Sequence, residues 1–177
     1  IFSALLLFVS CKNNQNKETK EVADVKTYTI EQFMDNEEAW EDGFSADKSK
    51  VLITSNRSGI FNIYSVSAEG GELMPITQSD SASVYGISCF PDDDRILFRM
   101  DGNGDEIFKI FVKDSSGIQR LTPEKNVRAL FQGWAKDGKS FYYSSNERNS
   151  QMMDVYEMDI VTFKPKLLLK NDEAMNF

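Results

Sequence analysis

Residues 44–52, FSADKSKVL, set a pattern that returns as FPDDDRIL at 90–97 and WAKDGKSF at 134–141. Each copy opens with an aromatic (Phe44, Phe90, Trp134). An aspartate follows three residues on (Asp47, Asp93, Asp137) and an apolar residue seven on (Val51, Leu97, Phe141). The openings lie 46 and 44 residues apart. A second aromatic recurs at nearly constant distance, as Tyr64, Phe111 and Tyr156. Ile76-Thr77 and Leu121-Thr122 close two of the units, and Leu168-Leu169 stands near the same place in the third. Self-similarity at such a period marks a repeat architecture.

Within one unit the periodicity is that of strands. VLITSN, RILFRM and SFYYSS are β-rich runs that follow the aspartate turn. A second turn (RSG, DGNGD, ERNS) leads into FNIYSV, EIFKIFV and MDVYEMD, where apolar and polar residues partly alternate. A third turn (AEGG, DSSG, VTFKP) precedes a short last strand. The carboxylates of Asp47, Asp93 and Asp137 are assigned a structural role, accepting backbone amides that a tight turn leaves unpaired. Four short strands in about 45 residues is the size of a propeller blade. The predicted fold is therefore all-β: a partial β-propeller of about three four-stranded blades over 44–177.

Ahead of the repeat, Thr29 and Gln32 form a capping-box pattern, and Ile30, Phe33 and Met34 share a face at helical spacing. A helix over Ile30–Trp40 is expected within a lead-in at 28–43, with Glu37, Glu38, Glu41 and Asp42 as a solvated acidic face. Residues 1–9 are almost wholly apolar, the length of a signal-peptide core, and are followed by Ser10 and Cys11. Residues 1–10 read as a partial lipoprotein signal peptide, with Cys11 as the acylated residue. The polar run from 11 to 27 reads as a solvated tether. The implied location is exported and membrane-anchored, at the bacterial cell envelope. Both ends are abrupt, so the reading expects part of a longer protein.

The aromatic-x-x-Asp turns, the Ile-Tyr or Val-Tyr pair of the third strand and the closing Leu-Thr resemble the propeller repeat of TolB-like proteins. The same repeat forms the N-terminal propeller of the prolyl oligopeptidase family of serine peptidases. A segment similar to YTIEQF followed by SNRSGIFNIYSV is frequent there before and in the first blade. The resemblance covers residues 28–177. It implies that the propeller shields an active site and restricts substrate access. It also implies that the catalytic Ser, Asp and His lie in a C-terminal α/β-hydrolase domain. By resemblance, then, the partners are that hydrolase domain and peptide substrates, with the membrane reached through a lipid anchor. A non-enzymatic TolB-like propeller binding a protein partner at the envelope is the alternative, and a carbohydrate-associated surface propeller a third option.

The residues themselves supply no catalytic device. The chain has no histidine, so neither a Ser-His-Asp nor a Cys-His arrangement can be assembled within it. GISCF (86–90) approaches a nucleophile elbow but lacks the second glycine. Cys89 in that strand reads as a small buried hydrophobe. DGNGDE (101–106) starts like a calcium loop, yet Glu106 stands where such loops carry glycine, so it reads as a hairpin turn. Asp92, Asp93 and Asp94 likewise read as turn residues. No catalytic, cofactor-binding or metal-binding residue is assigned, and no cofactor. With 20 Lys and Arg against 28 Asp and Glu the formal charge is −8, which argues against nucleic acid as a partner.

Overall fold

Short β-branched and aromatic runs punctuated by Asp, Gly and Ser turns cannot bury an apolar face within one layer, so sheets form and stack. A computed structural model describes residues 25–102, 104–123 and 125–173, and these divide at residue 36 into two separate units. Cys11, the signal segment and most of the tether lie outside the described residues.

The first unit contains one helix, α1 (Ile30–Met34). Thr29 Oγ1 accepts the Gln32 N–H and the Gln32 side chain accepts the Thr29 N–H, both at 3.2 Å, so the capping box is formed. The helix expected to reach Trp40 stops at Met34. Asp35 donates its N–H to Glu31 O, and the Asn36 side chain caps Phe33 O, which closes the last turn. Strand pairing begins at Ala39, so Glu37, Glu38, Glu41 and Asp42 are not a helix face.

The second unit is three four-stranded antiparallel sheets, each in sequential order. Sheet 1 holds β1 (Ala39–Phe44), β2 (Lys50–Ser55), β3 (Asn62–Ser67) and β4 (Met74–Pro75). Sheet 2 holds β5 (Val84–Cys89), β6 (Ile96–Met100), β7 (Lys109–Asp114) and β8 (Gly117–Arg120). Sheet 3 holds β9 (Ala129–Trp134), β10 (Ser140–Asn149), β11 (Met152–Asp159) and β12 (Pro165–Leu169). The first sheet thus begins at Ala39, earlier than the expected boundary at 44. The recurrent aromatic marks the end of a first strand rather than the start of a unit.

Register refines the repeat in a second way. Phe44 pairs with Val51 and Trp134 with Phe141, but in sheet 2 the residue at that position is Cys89, paired with Ile96. Phe90 therefore sits one residue past its sequence counterparts. The shift turns its side chain inward: Phe90 is 1% exposed and packs edge-on against Trp134, whereas Phe44 is 52% exposed.

The core lies between sheets. Leu52 and Ile63 meet Val84, Ile96 and Phe98 at the first junction. Phe90, Leu97, Ile110 and Val112 meet Ala129, Phe141, Tyr143, Tyr156 and Met158 at the second. The closing threonines have a specific task. Thr77 Oγ1 accepts the Ile63 N–H and Thr122 Oγ1 the Ile110 N–H, standing in for a ladder bond that the short outer strand leaves open. In sheet 3 Leu169 pairs with Val155 through the backbone, so no hydroxyl is needed there.

Candidate functional site at the bulged first strands

The three assigned aspartates occupy matching turns. Asp47, Asp93 and Asp137 each use Oδ1 to accept the N–H two residues on, from Ser49, Arg95 and Lys139, at 2.9–3.0 Å. Hydrogen bonds from the Ser45 hydroxyl, then the Ser49 amide and hydroxyl, hold the Asp47 carboxyl down at about 2. The Arg95 side chain does the same for Asp93, in direction.

The other sequence candidates are committed locally. Ser88 Oγ donates to Cys89 O at 2.7 Å and accepts from Trp134 Nε1 at 3.2 Å, with no base beside it. Cys89 is half-buried against a cavity of about 170 Å3 lined by Val51, Leu52, Ile76 and Asp94, and burial pushes its thiol up. In the 101–106 turn, Asp101 accepts the Glu106 N–H, and Asp105 accepts those of Gly102 and Ile107. No group of three metal-ligating side chains occurs among the described residues.

The feature that sequence reading missed lies at the other end of the sheets. Each first strand carries one residue left out of the ladder: Asp42 between Glu41 and Gly43, Ile87 between Gly86 and Ser88, Gln132 between Phe131 and Gly133. These are β-bulges at equivalent positions, which bend the strand and re-aim a side chain. The signal was the Asp-Gly-Phe and Gln-Gly-Trp triplets, whose Gly43 and Gly133 take φ of +129° and +149°.

In sheets 1 and 3 the bulge residue caps a hydroxyl on the neighbouring strand. Thr54 Oγ1 donates to Asp42 Oδ2 at 2.5 Å and accepts the Gly86 N–H at 2.8 Å, joining sheet 1 to sheet 2. Gly86 is required there, since a Cβ would lie 2.2 Å from Asp42 Oδ2. Burial raises the Asp42 carboxyl above its ordinary value. In sheet 3 Gln132 Nε2 donates to Ser144 Oγ at 2.9 Å. Sheet 2 departs from this scheme, with Ile87 at the bulge and Arg99 at the register position of Thr54 and Ser144.

Around Arg99 the starts of the first and third strands gather aromatic rings. Trp40 stacks on Tyr85 with 6.2 Å between centroids, and Phe61 lies 5.1 and 5.2 Å from the two. Phe108 meets Tyr85 edge-on at 5.6 Å. The Arg99 guanidinium sits 4.8 Å from the Phe108 centroid and 5.5 Å from that of Tyr85. Backbone bonds fix this row: Val84 N–H donates to Phe61 O and Ala129 N–H to Phe108 O, so each new sheet starts on the one before. In sheet 3, a clamp holds the long β10–β11 hairpin to the chain leaving β12. Arg148 grips the fully buried Asp154 through Nε and Nη2, and Asp154 Oδ1 also accepts the Asn171 N–H.

No protein-family model matches the chain. Its sequence is 25% identical over 118 residues to dipeptidyl aminopeptidase BIII of Pseudoxanthomonas mexicana, covering 64% of this chain and 17% of that protein. Among solved structures, TolB from Acinetobacter baumannii superposes with a TM-score of 0.61 at 21% identity, over 79% of this chain and 34% of that one. A puromycin-hydrolyzing peptidase from Mycobacterium tuberculosis matches with a TM-score of 0.54 at 18% identity, over 79% and 22%. The chain thus spans about a sixth of the curated relative and a third of the TolB chain. With sequential four-stranded sheets stacked face to face, these likenesses identify residues 39–169 as three blades of a TolB-like β-propeller.

Proposed function

We propose that these blades belong to the substrate-gating propeller of a prolyl oligopeptidase-type serine peptidase. The carrying observation is the 118-residue match to a dipeptidyl aminopeptidase, which falls on a chain without histidine. In this reading the blades contribute a wall and a mouth, and a hydrolase domain outside this sequence supplies the nucleophile, acid and base. The TolB likeness supports the alternative of a non-enzymatic propeller that binds an envelope protein. The test is to read the gene past the codon for Phe177 and express the whole product. A Gly-x-Ser-x-Gly motif followed by Asp and His, with inhibitor-sensitive release from dipeptidyl amides, is the expected result. An open reading frame that closes the ring and stops would favour the binding propeller instead.

Export with acylation at Cys11 is part of the same proposal, supported by the apolar run at 1–9, Ser10 and the polar tether. In the full precursor, Cys11→Ser is expected to move the protein from the membrane to the soluble fraction. A variant that stays with the membrane would rule out a lipid at that residue.

A further inference from the structure

We propose that Arg99 anchors a binding site for a carboxylate carried on a flat apolar body, formed with the rings of Trp40, Tyr85 and Phe108. The inference starts from the repeat. The fold places a small hydroxyl residue at this register position in sheets 1 and 3, where Thr54 and Ser144 are 0% and 3% exposed and bonded to the bulge side chain. Sheet 2 puts a long cation there, and its bulge residue, Ile87, has no side-chain acceptor to offer. Packing alone does not call for that exchange.

The surroundings leave the guanidinium's donors unused. Arg57, Arg95, Arg128 and Arg148 each approach a carboxylate or carbonyl oxygen. The Arg99 guanidinium contacts rings, and no hydrogen bond or ion pair engages it among the described residues. That is unusual in a chain with eight more acids than bases. Asp42 is near enough to feel its charge but makes no ion pair with it, being bound to Thr54 instead. Lying against both Tyr85 and Phe108 restricts the attitudes of the planar fork, which reduces the freedom lost on gripping a ligand. A carboxylate matches the fork with two parallel hydrogen bonds. Trp40, 40% exposed and stacked on Tyr85, extends an apolar wall for whatever the carboxylate is attached to. A peptide C-terminus and a small aromatic acid share this chemistry.

The proposal concerns this chain's own residues and stands whether or not the parent is a peptidase. The test uses the whole gene product labelled with 5-fluorotryptophan, with the Trp40 and Trp134 19F resonances assigned from Trp40→Phe and Trp134→Phe variants. Trp40 lies in the proposed site, and Trp134 packs in the second junction. Titration with N-acetylphenylalanine is expected to move the Trp40 resonance saturably and leave Trp134 in place. Its uncharged amide should bind at least about tenfold more weakly, since the paired hydrogen bonds to the fork are lost. Arg99→Met should abolish the acid's effect and Arg99→Lys should weaken it, with the Trp134 resonance reporting that each variant is folded. Phenylacetate in parallel distinguishes the sources: equal binding points to small aromatic acids, weaker binding to a peptide terminus. Equal affinity for acid and amide, wild-type binding by Arg99→Met, or no movement of Trp40 up to ~10 mM ligand would each overturn the proposal.

Discussion

At the scale of single residues, the junction between sheets 1 and 2 turns on the contact of Gly86 with Asp42. Adding one methyl at Gly86 brings a carbon to 2.2 Å from a half-buried carboxylate oxygen, so strand or side chain must shift. Overpacking of this kind typically costs about 1–3 kcal/mol. Gly86→Ala is expected to lower the unfolding free energy by that much, read as a lower urea midpoint, and Asp42→Ala in the same background should recover part of it. Additive losses in the double variant would mean that the two residues do not press on each other. Asp154 carries a second residue-scale prediction. The Arg148 hydrogen bond, opposed by burial and aided by the Asn171 amide, holds its carboxyl below the ordinary value. Folding then favours the ionised form, so this stability is fully present above the unfolded value of about 3.9 and lost as pH falls through the lower folded value. Asp154→Asn should cost about 1–3 kcal/mol near neutrality, with the gap to wild type closing below about pH 4. A gap that stays constant down to acid unfolding would refute the pairing. Asp42 runs the other way: burial raises its carboxyl, so its part of the stability falls as pH rises through that raised value.

At the scale of elements, most of each sheet was legible in the sequence. VLITSN, RILFRM and SFYYSS became second strands because β-branched and aromatic residues cluster there, and the aspartate turns before them recur with the same amide bond. The first strands were harder to see. AWEDGF (39–44) has two acids, a glycine and no β-branched residue, and its strand state comes from pairing with Lys50–Ser55 rather than from its own preference. For the same reason the helical pattern in the sequence runs six residues beyond α1. The bulges escaped for a related reason. A bulge is an event of backbone register, and its only trace here is a glycine before the aromatic in two of three copies. The site at Arg99 was invisible until register was known. An arginine in RILFRM reads as the polar half of an alternating strand, and only alignment with Thr54 and Ser144 makes it an exception.

At the scale of the whole molecule, stacking sets the behaviour, because each blade's apolar face is finished by the next. At matching positions, Leu52 and Ile63 are covered by sheet 2, and Leu97 and Ile110 by sheet 3, all at 0–2% exposure. Their counterparts in sheet 3, Tyr142 and Val155, are only partly buried, and Leu168 is 44% exposed where Ile76 and Leu121 are packed against a core. Leaving a large apolar side chain outside a core forgoes about 1.5–3 kcal/mol. A few of them together approach the net stability of a small domain, about 5–15 kcal/mol. The net charge of −8 slows encounter between copies but does not cover that face. Residues 27–177 on their own are therefore expected to sediment as concentration-dependent oligomers, and Tyr142→Lys with Leu168→Lys should shift them toward monomer. A wild-type fragment that stays monomeric at high concentration and melts in one sharp transition would show that the face is already satisfied, and the stacking account would fail.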